Sequence, residues 1–326
     1  MKYILNETPI KTTNGFLMNN VMLDLNIVEK ELSKINIDCD YNEIIRNDFN
    51  SKIGLKHSKY REVVINIDKD SNINISSDLD TNYLVSEIII NIKENTSSKV
   101  IITFNGEGFN NLKLVINALD NSNSNITLIN NLSKSSKSLI AFENDIKDNS
   151  NIAINFIDLG GDIRLSNYYS IIGNYASNNF NNIHIGKENT RIDMNYHMVN
   201  RGIKSNSNIE ICGALFDECY KTFKGIIDFE KGSSKAIGYE NENSMLFSDK
   251  CISRSLPMLL CHEEDVSGTH SVFTGKVDEN KLFYLMSKGL SQKESNKLIM
   301  FGNFNKILNN LNDKEEIIKL IEEKMN

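Results

Sequence analysis

DNSNIAI, residues 148–154, sets a polar Asp-Asn-Ser-Asn turn directly before an alternating run in which Ile152 and Ile154 point one way and Ala153 the other. Related stretches recur along the chain: KDSNINI around Ile73, TSSKVII at Val100, SNSNITL at Ile126, FNNIHI at Ile183, SNSNIEI at Ile209 and GSSKAIG at Ala236. Successive anchors, with Ile152 in its place among them, stand 27, 26, 26, 31, 26 and 27 residues apart. A chain that is merely rich in Asn does not hold such a register. Further short apolar runs, among them EIIINI and LKLVINAL, lie between the anchors and are separated by Asn, Gly and Ser turns. One unit cannot bury its own apolar face, whereas stacked units bury a continuous core, which is the physics of a solenoid. With two or three short strands per coil and almost no helix signal from residue 60 to 250, the expected fold is all-β, a right-handed parallel β-helix. The 49 asparagines suit coil corners, because Asn tolerates left-handed backbone. Coding bias accounts for most of them equally well.

Helix signals stand at the two ends. Ile27 to Ile37 reads as a short amphipathic helix. Ser291 and Glu294 form a capping box before Leu298, Ile299 and Phe301, with Gly302 as the expected stop, and Asn312 with Glu315 repeats the device before Ile317, Ile318, Leu320 and Ile321. The expected organisation is an N-terminal segment over residues 1–59 with a short helix, a β-helix over 60–290, and a helical region over 291–326.

Composition narrows the function. A chain of 326 residues with 40% hydrophobic content builds a substantial core. The net charge of -7 carries no long basic block, so neither nucleic acid nor an anionic membrane is an expected partner. No stretch approaches the roughly 18 apolar residues of a membrane span, and MKYILNETPIKTT lacks the pattern of an export signal, so a cytoplasmic location is expected. The five cysteines, Cys39, Cys212, Cys219, Cys251 and Cys261, are odd in number and include no CxxC pair, which supports neither a disulfide framework nor a zinc ribbon.

The densest chemistry lies in LCHEEDVSGTH, residues 260–270, where Cys261, His262, Glu263, Glu264 and His270 fall within eleven positions. Read as a strand, the first part places Cys261, Glu263 and Asp265 on one face and His262 with Glu264 on the other. A thiolate and a carboxylate on one face suit iron, and a cluster would recruit further ligands from His270 or a second chain. A small buried thiol beside a solvated acidic edge accounts for the same residues. Cys212, opposite Ile209 and Ile211, reads as an outward thiol or a structural one, and His184 and His197 as surface histidines. No nucleophile elbow, HExxH, Walker or dinucleotide motif is present, and LGGDI at 159–163 reads as a turn.

From Leu256 to Ile299 the chain reads LPMLLCHEEDVSGTHSVFTGKVDENKLFYLMSKGLSQKESNKLI, which resembles the C-terminal core of the SufB/SufD scaffold proteins of iron-sulfur cluster assembly. GGDIRLSNYYSIIGNYA and the run from Asn200 to Asp249 are similar to that family's coil repeats. CHEEDVSGTH is closest to the compact, ancestral-type SufB subunits, whose Cys-x-Glu-Glu-x-Val-x-Gly-x-His pattern falls on Cys261, Glu263, Glu264 and His270. Ser271, Leu285 and Lys288 depart from longer SufB proteins, so the ligand set of those proteins does not transfer.

The resemblance implies a scaffold and not an enzyme, a homodimer joined through the last β-helix strands, and a transient iron-sulfur cluster, with [4Fe-4S] among the candidate types. It implies Cys261 as thiolate ligand or sulfur acceptor, Glu263 or Glu264 as oxygen ligand, and His270 as ligand or proton carrier. The implied partners are a SufC-type ABC ATPase docked around Leu290, Leu298, Phe301 and Phe304, a cysteine desulfurase or other sulfur donor, and apo iron-sulfur proteins. Two rival readings are a SufD-like accessory subunit without its own cluster and a β-helix enzyme acting on polysaccharide. The absence of Trp for sugar stacking weighs against the second rival.

Overall fold

A computed structural model of the chain describes residues 2–8, 18–311 and 313–325. Its body is two nine-stranded sheets. One stacks β3 (Asn36–Ile37), β6 (Ser71–Ser77), β8 (Ser97–Phe104), β10 (Asn123–Asn130), β12 (Asn151–Asp158), β14 (Ser177–Gly186), β16 (Asn206–Leu215), β18 (Ile237–Leu246) and β20 (Ser267–Lys276). The other stacks β4 (Asn42–Phe49), β5 (His57–Ile67), β7 (Tyr83–Ile92), β9 (Phe109–Ala118), β11 (Lys137–Ile146), β13 (Ile163–Ile172), β15 (Arg191–Asn200), β17 (Tyr220–Phe229) and β19 (Ile252–Cys261). From β5 onward the chain alternates between the sheets, and each strand pairs in parallel with the one two places on. The product is a parallel β-solenoid of about eight turns with two strands per coil. Within these two sheets β3 and β4, at the N-terminal end, pair antiparallel with their neighbours.

The lumen between the sheets is filled by several columns, each taking one side chain per coil. Ile73, Val100, Ile126, Ile154, Phe180 and Ile209 stack in one such column, each paired with the next. The stacking interval runs from 26 to 29 residues over these rungs and reaches 31 at the next, Glu240, and three sequence anchors shift. Ile154, not Ile152, stacks on Ile126; a two-residue slip leaves both on the same face, so both remain in the lumen. Phe180, not Ile183, is the next rung, and this odd slip turns Ile183 to the outside. Glu240, not Ala236, stacks on Ile209.

One corner explains part of the Asn usage. Asn95, Asn121, Asn149, Tyr175, Lys204 and Lys235 all have positive φ, and each donates its N–H to a carbonyl of the following coil. Asn fills the first three places, where its low cost in left-handed backbone is an advantage.

Both outer faces are covered. β1 (Lys2–Leu5) pairs antiparallel with β2 (Val21–Asp24), and Leu5, Val21, Leu23 and Leu25 pack on Tyr83, Val85, Phe109, Leu139 and Leu165 of the odd-numbered sheet. The helix expected over Ile27 to Ile37 is absent: the segment runs extended into β3. Its carbonyls at Leu32 and Ser33 accept from the Arg61 guanidinium and Ser33 N–H donates to Tyr83, so tertiary hydrogen bonds replace intrahelical ones.

Three helices, α1 (Glu279–Ser287), α2 (Gln292–Leu308) and α3 (Lys314–Met325), follow the last strand. The Ser291–Glu294 capping box is formed as expected. α2 continues through Gly302, because Met300, Phe304, Ile307 and Leu308 on either side anchor it to the even-numbered sheet. A single glycine costs about 1 kcal/mol in a helix, less than such packing supplies. The cap expected at Asn312 lies outside the described residues.

Phe180 is fully buried among Phe142, Tyr168 and Tyr196, with ring centroids 5.6, 4.0 and 4.8 Å away. Phe180→Ala should lower stability by about 3–5 kcal/mol in guanidinium unfolding, as expected for an aromatic removed from a packed lumen.

Candidate functional site

The C-terminal mouth of the solenoid gathers the sequence candidates. β19 and β20 are the last strands of their sheets, each hydrogen-bonded along one side only. Cys261 pairs with the lumen residue Phe229, and His270 pairs with Glu240. Alternation therefore turns both Cys261 and His270 toward the lumen axis, one from each sheet, at a rung with no coil above it. Both are exposed. Leu259 lies below Cys261 and packs against the lumen core, while Val272 and Phe273 on β20 are exposed apolar side chains.

The strand reading of LCHEEDV holds only to Cys261. Residues 262–266 form the turn that closes the coil, so strand alternation does not sort them. Glu263 caps that turn: its oxygens accept from Gly232 N–H at 2.9 Å and Glu264 N–H at 3.0 Å. These backbone donors, Gly232 first, hold its carboxyl below the usual range. Asp265 accepts from Ser234 Oγ at 3.0 Å. Glu264 is exposed at the apex. His262 Nε2 lies outside the lumen, 3.8 Å from Asp228, whose other oxygen is 3.5 Å from His197. Among the described residues of this one chain, no group of three or more His, Cys, Asp or Glu is placed to hold a metal ion.

Beneath the mouth lies polar chemistry that motif reading missed. Three neighbouring lumen columns change from apolar to polar along the axis. Ile209 is followed by Glu240 and His270; Ile211 by Glu242 and Val272; and on the next column Phe104 by Asn130, Asp158 and His184. Glu242 and Lys221 form a fully buried ion pair, and Lys221 also donates to Ser255 Oγ at 3.0 Å. Desolvation lowers the pKa of the Lys221 ammonium, and the neighbouring Glu242 opposes that shift. Neither carboxyl oxygen of Glu240 has a hydrogen-bond partner, and its carboxyl fits only because residue 225 is glycine: a Cβ there would sit 2.4 Å from it. Burial, and then the neighbouring Glu242, push the Glu240 carboxyl up to about 8.

His184, expected on the surface, is buried in the lumen with Nδ1 2.9 Å from Asn182 Oδ1. Burial holds its pKa well below the usual value, so Nδ1–H is the donor of a neutral ring. Its flanking residues Ile183 and Ile185 face out, under the helices. Alternation alone fixes two faces but not which is inner when both are covered.

Cys212 and Cys219 are structural in setting. Cys212 does face out of the lumen, but α2 covers it, with Sγ 3.6 Å from the Asn303 carbonyl, and burial pushes it up to about 12. Cys219 is buried in the lumen and also raised to about 12 by burial. All five cysteines are free thiols.

Of the candidate docking residues, Leu298 is exposed and Leu290 and Phe301 half-buried, whereas Phe304 is fully buried in the α2 contact with the sheet. Phe304 therefore holds the helices to the solenoid. The exposed apolar surface lies earlier, on α1, where no residue is buried and Phe283 and Tyr284 are 74% and 59% exposed. The run LFYL forms a helix rather than continuing the strands. No helix among the described residues is long and apolar enough to cross a membrane.

Residues 72–303 match the family model described as SUF system FeS cluster assembly, SufBD core domain. The chain belongs to the SufBD family. It is 27% identical over 168 residues to the iron-sulfur cluster assembly protein SufD of Bacillus subtilis, a match covering 51% of this chain and 38% of that protein. A SufBD family protein of Pyrococcus horikoshii is 25% identical over 189 residues, covering 56% and 41%. SufB of Bacillus subtilis is 30% identical over 81 residues, covering 25% and 17%. The chain thus spans about two fifths of the length of the first two relatives and less of the third. The family places it in iron-sulfur cluster assembly.

Glu240 supplies a pH signature. Its pKa rises from 4.5 to about 8 on folding, so the folded state binds the proton more tightly and stability is greatest below the unfolded value. Thermal stability should fall as pH rises from about 5 to about 8, and Glu240→Gln should flatten that decline. Parallel wild-type and variant curves in a pH series of melting scans would show that Glu240 folds in its charged form.

Proposed function

We propose that this chain is a non-enzymatic scaffold that dimerises through β19 and β20 and builds an iron-sulfur cluster, as cargo, at the seam. The observation that carries this reading is the open last rung: two one-sided strand edges flanked by exposed Val272 and Phe273, with Cys261 and His270 both turned into the mouth. Exposed edges invite pairing unless charge or a cover blocks them. A second copy doubles the donors and supplies the ligands that one chain does not assemble.

In this reading the Cys261 thiolate is the ligand or sulfur acceptor, and His270 is a second ligand or a proton carrier. Glu264 is the freer oxygen donor, since Glu263 must first release two backbone N–H groups. A SufC-type ABC ATPase docks on α1 and the exposed side of α2, through Phe283, Tyr284, Leu298 and the edge of Phe301, and its closure strains the seam. The location is cytoplasmic. A sulfur donor and apo iron-sulfur proteins complete the cycle. The match to SufD favours a second reading, in which the chain is an accessory subunit that joins a separate SufB and holds no cluster of its own.

Anaerobic reconstitution with iron and sulfide separates the two. Cys261→Ala should lose most of the iron and sulfide retained by the unaltered chain, and an unchanged yield and spectrum would favour the accessory role. Val272→Lys places a charge on the β20 edge and should shift the chain from dimer to monomer in light scattering; a dimer of unchanged stability would place the interface elsewhere.

A further inference from the structure

A cavity of about 160 Å³ opens at a corner of the solenoid, where the turns after β10, β12 and β14 meet the end of α3. Its floor is apolar, formed by Leu132, Leu159 and Ile185, and the rest of its lining is strongly cationic: Lys134, Arg164, Lys187 and Lys324 face a single carboxylate, Glu188. Glu188 is spent at the rim on Lys134, both side chains being more than half exposed. Three cations remain deeper in.

Lys187 and Lys324 are held by carbonyls, and Arg164 by carbonyls and one carboxylate. Lys187 Nζ donates to the Lys324 carbonyl at 2.9 Å, and Lys324 Nζ to the Leu132 carbonyl at 2.7 Å. Arg164, 97% buried, donates through Nη1 to the Asp158 carbonyl at 2.7 Å and through Nη2 to the Ile185 carbonyl, while its Nε has no acceptor. The Asp158 carboxylate lies 3.4 Å from the same guanidinium and pairs with it inside the wall, while burial raises its pKa. Burial first, and then Arg164, lower the pKa of Lys324. Lys187 and Lys324 thus donate to carbonyls rather than to acids, and cations gathered in low-dielectric walls concentrate a positive field.

We propose that this cavity binds a small organic oxyanion, its charged end between Lys187, Lys324 and Arg164 and its short apolar substituent on Leu132, Leu159 and Ile185. The volume, room for about five waters, admits a short-chain acid. The site lies at a side corner and is independent of the role assigned to the solenoid mouth.

Calorimetric titration of the full chain with butyrate, inorganic phosphate and chloride at matched ionic strength tests it. Butyrate should bind more tightly than phosphate, and Lys187→Gln and Lys324→Met should each weaken it about tenfold. In the unaltered chain butyrate should also raise the unfolding midpoint above the chloride control. Butyrate heats and midpoints equal to those with chloride, binding untouched by both variants, or equal affinity for phosphate would each overturn the proposal.

Discussion

The lateral hydrogen bonds that tie each strand to the one two places further on govern the rest of the molecule. They force residues one coil apart into register, so every lumen position becomes a column along the axis. A column of like apolar side chains packs continuously, and interruptions must be matched within the same rung. The same bonding pattern cannot satisfy its own end. Among the strands from β5 onward, β19 and β20 alone lack a following coil, so the mouth combines backbone left open for pairing with side chains that would otherwise be sealed.

Burial cost explains why the ionisable lumen residues are arranged as they are. Two isolated charges in such a setting cost several kcal/mol each, and Lys221 with Glu242 offset this by pairing and by serine hydroxyls. Glu240 has no such partner and is accommodated by keeping its proton. His184 is accommodated as a neutral ring. The polar lumen thus carries fewer charges than its residue types suggest.

Cover on both outer faces makes the solenoid a four-layer structure in cross-section. On the odd-numbered sheet the cover is tied down by a buried polar staple as well as by apolar packing: Asp193 accepts from Asn6 Nδ2 at 2.5 Å and from Lys224 Nζ at 2.9 Å. On the even-numbered sheet α2 and α3 seal Ile183, Ile185 and Cys212. Interior residues therefore lie on both sides of a strand, which is why His184 and Cys212, two rungs of the same fold, both end buried while pointing in opposite directions.

The repeat spacing, the Asn-rich turns and the period-two alternation determined the parallel solenoid without any coordinates, because identical coils are the one arrangement that buries such a pattern. The run from Cys261 to His270 likewise marked the candidate site through its residue types. Tertiary structure decided what local pattern leaves degenerate. Turns of unequal length moved the rungs at Ile154, Phe180 and Glu240, and only the last two changed which residue faces in or what chemistry the lumen holds. Hydrogen bonds from Arg61 kept residues near Leu32 extended despite their helical spacing. The placing of Cys261 and His270 at one mouth came from stacking alone: they belong to different strands of different sheets, and a sequence pattern does not record the missing coil above them.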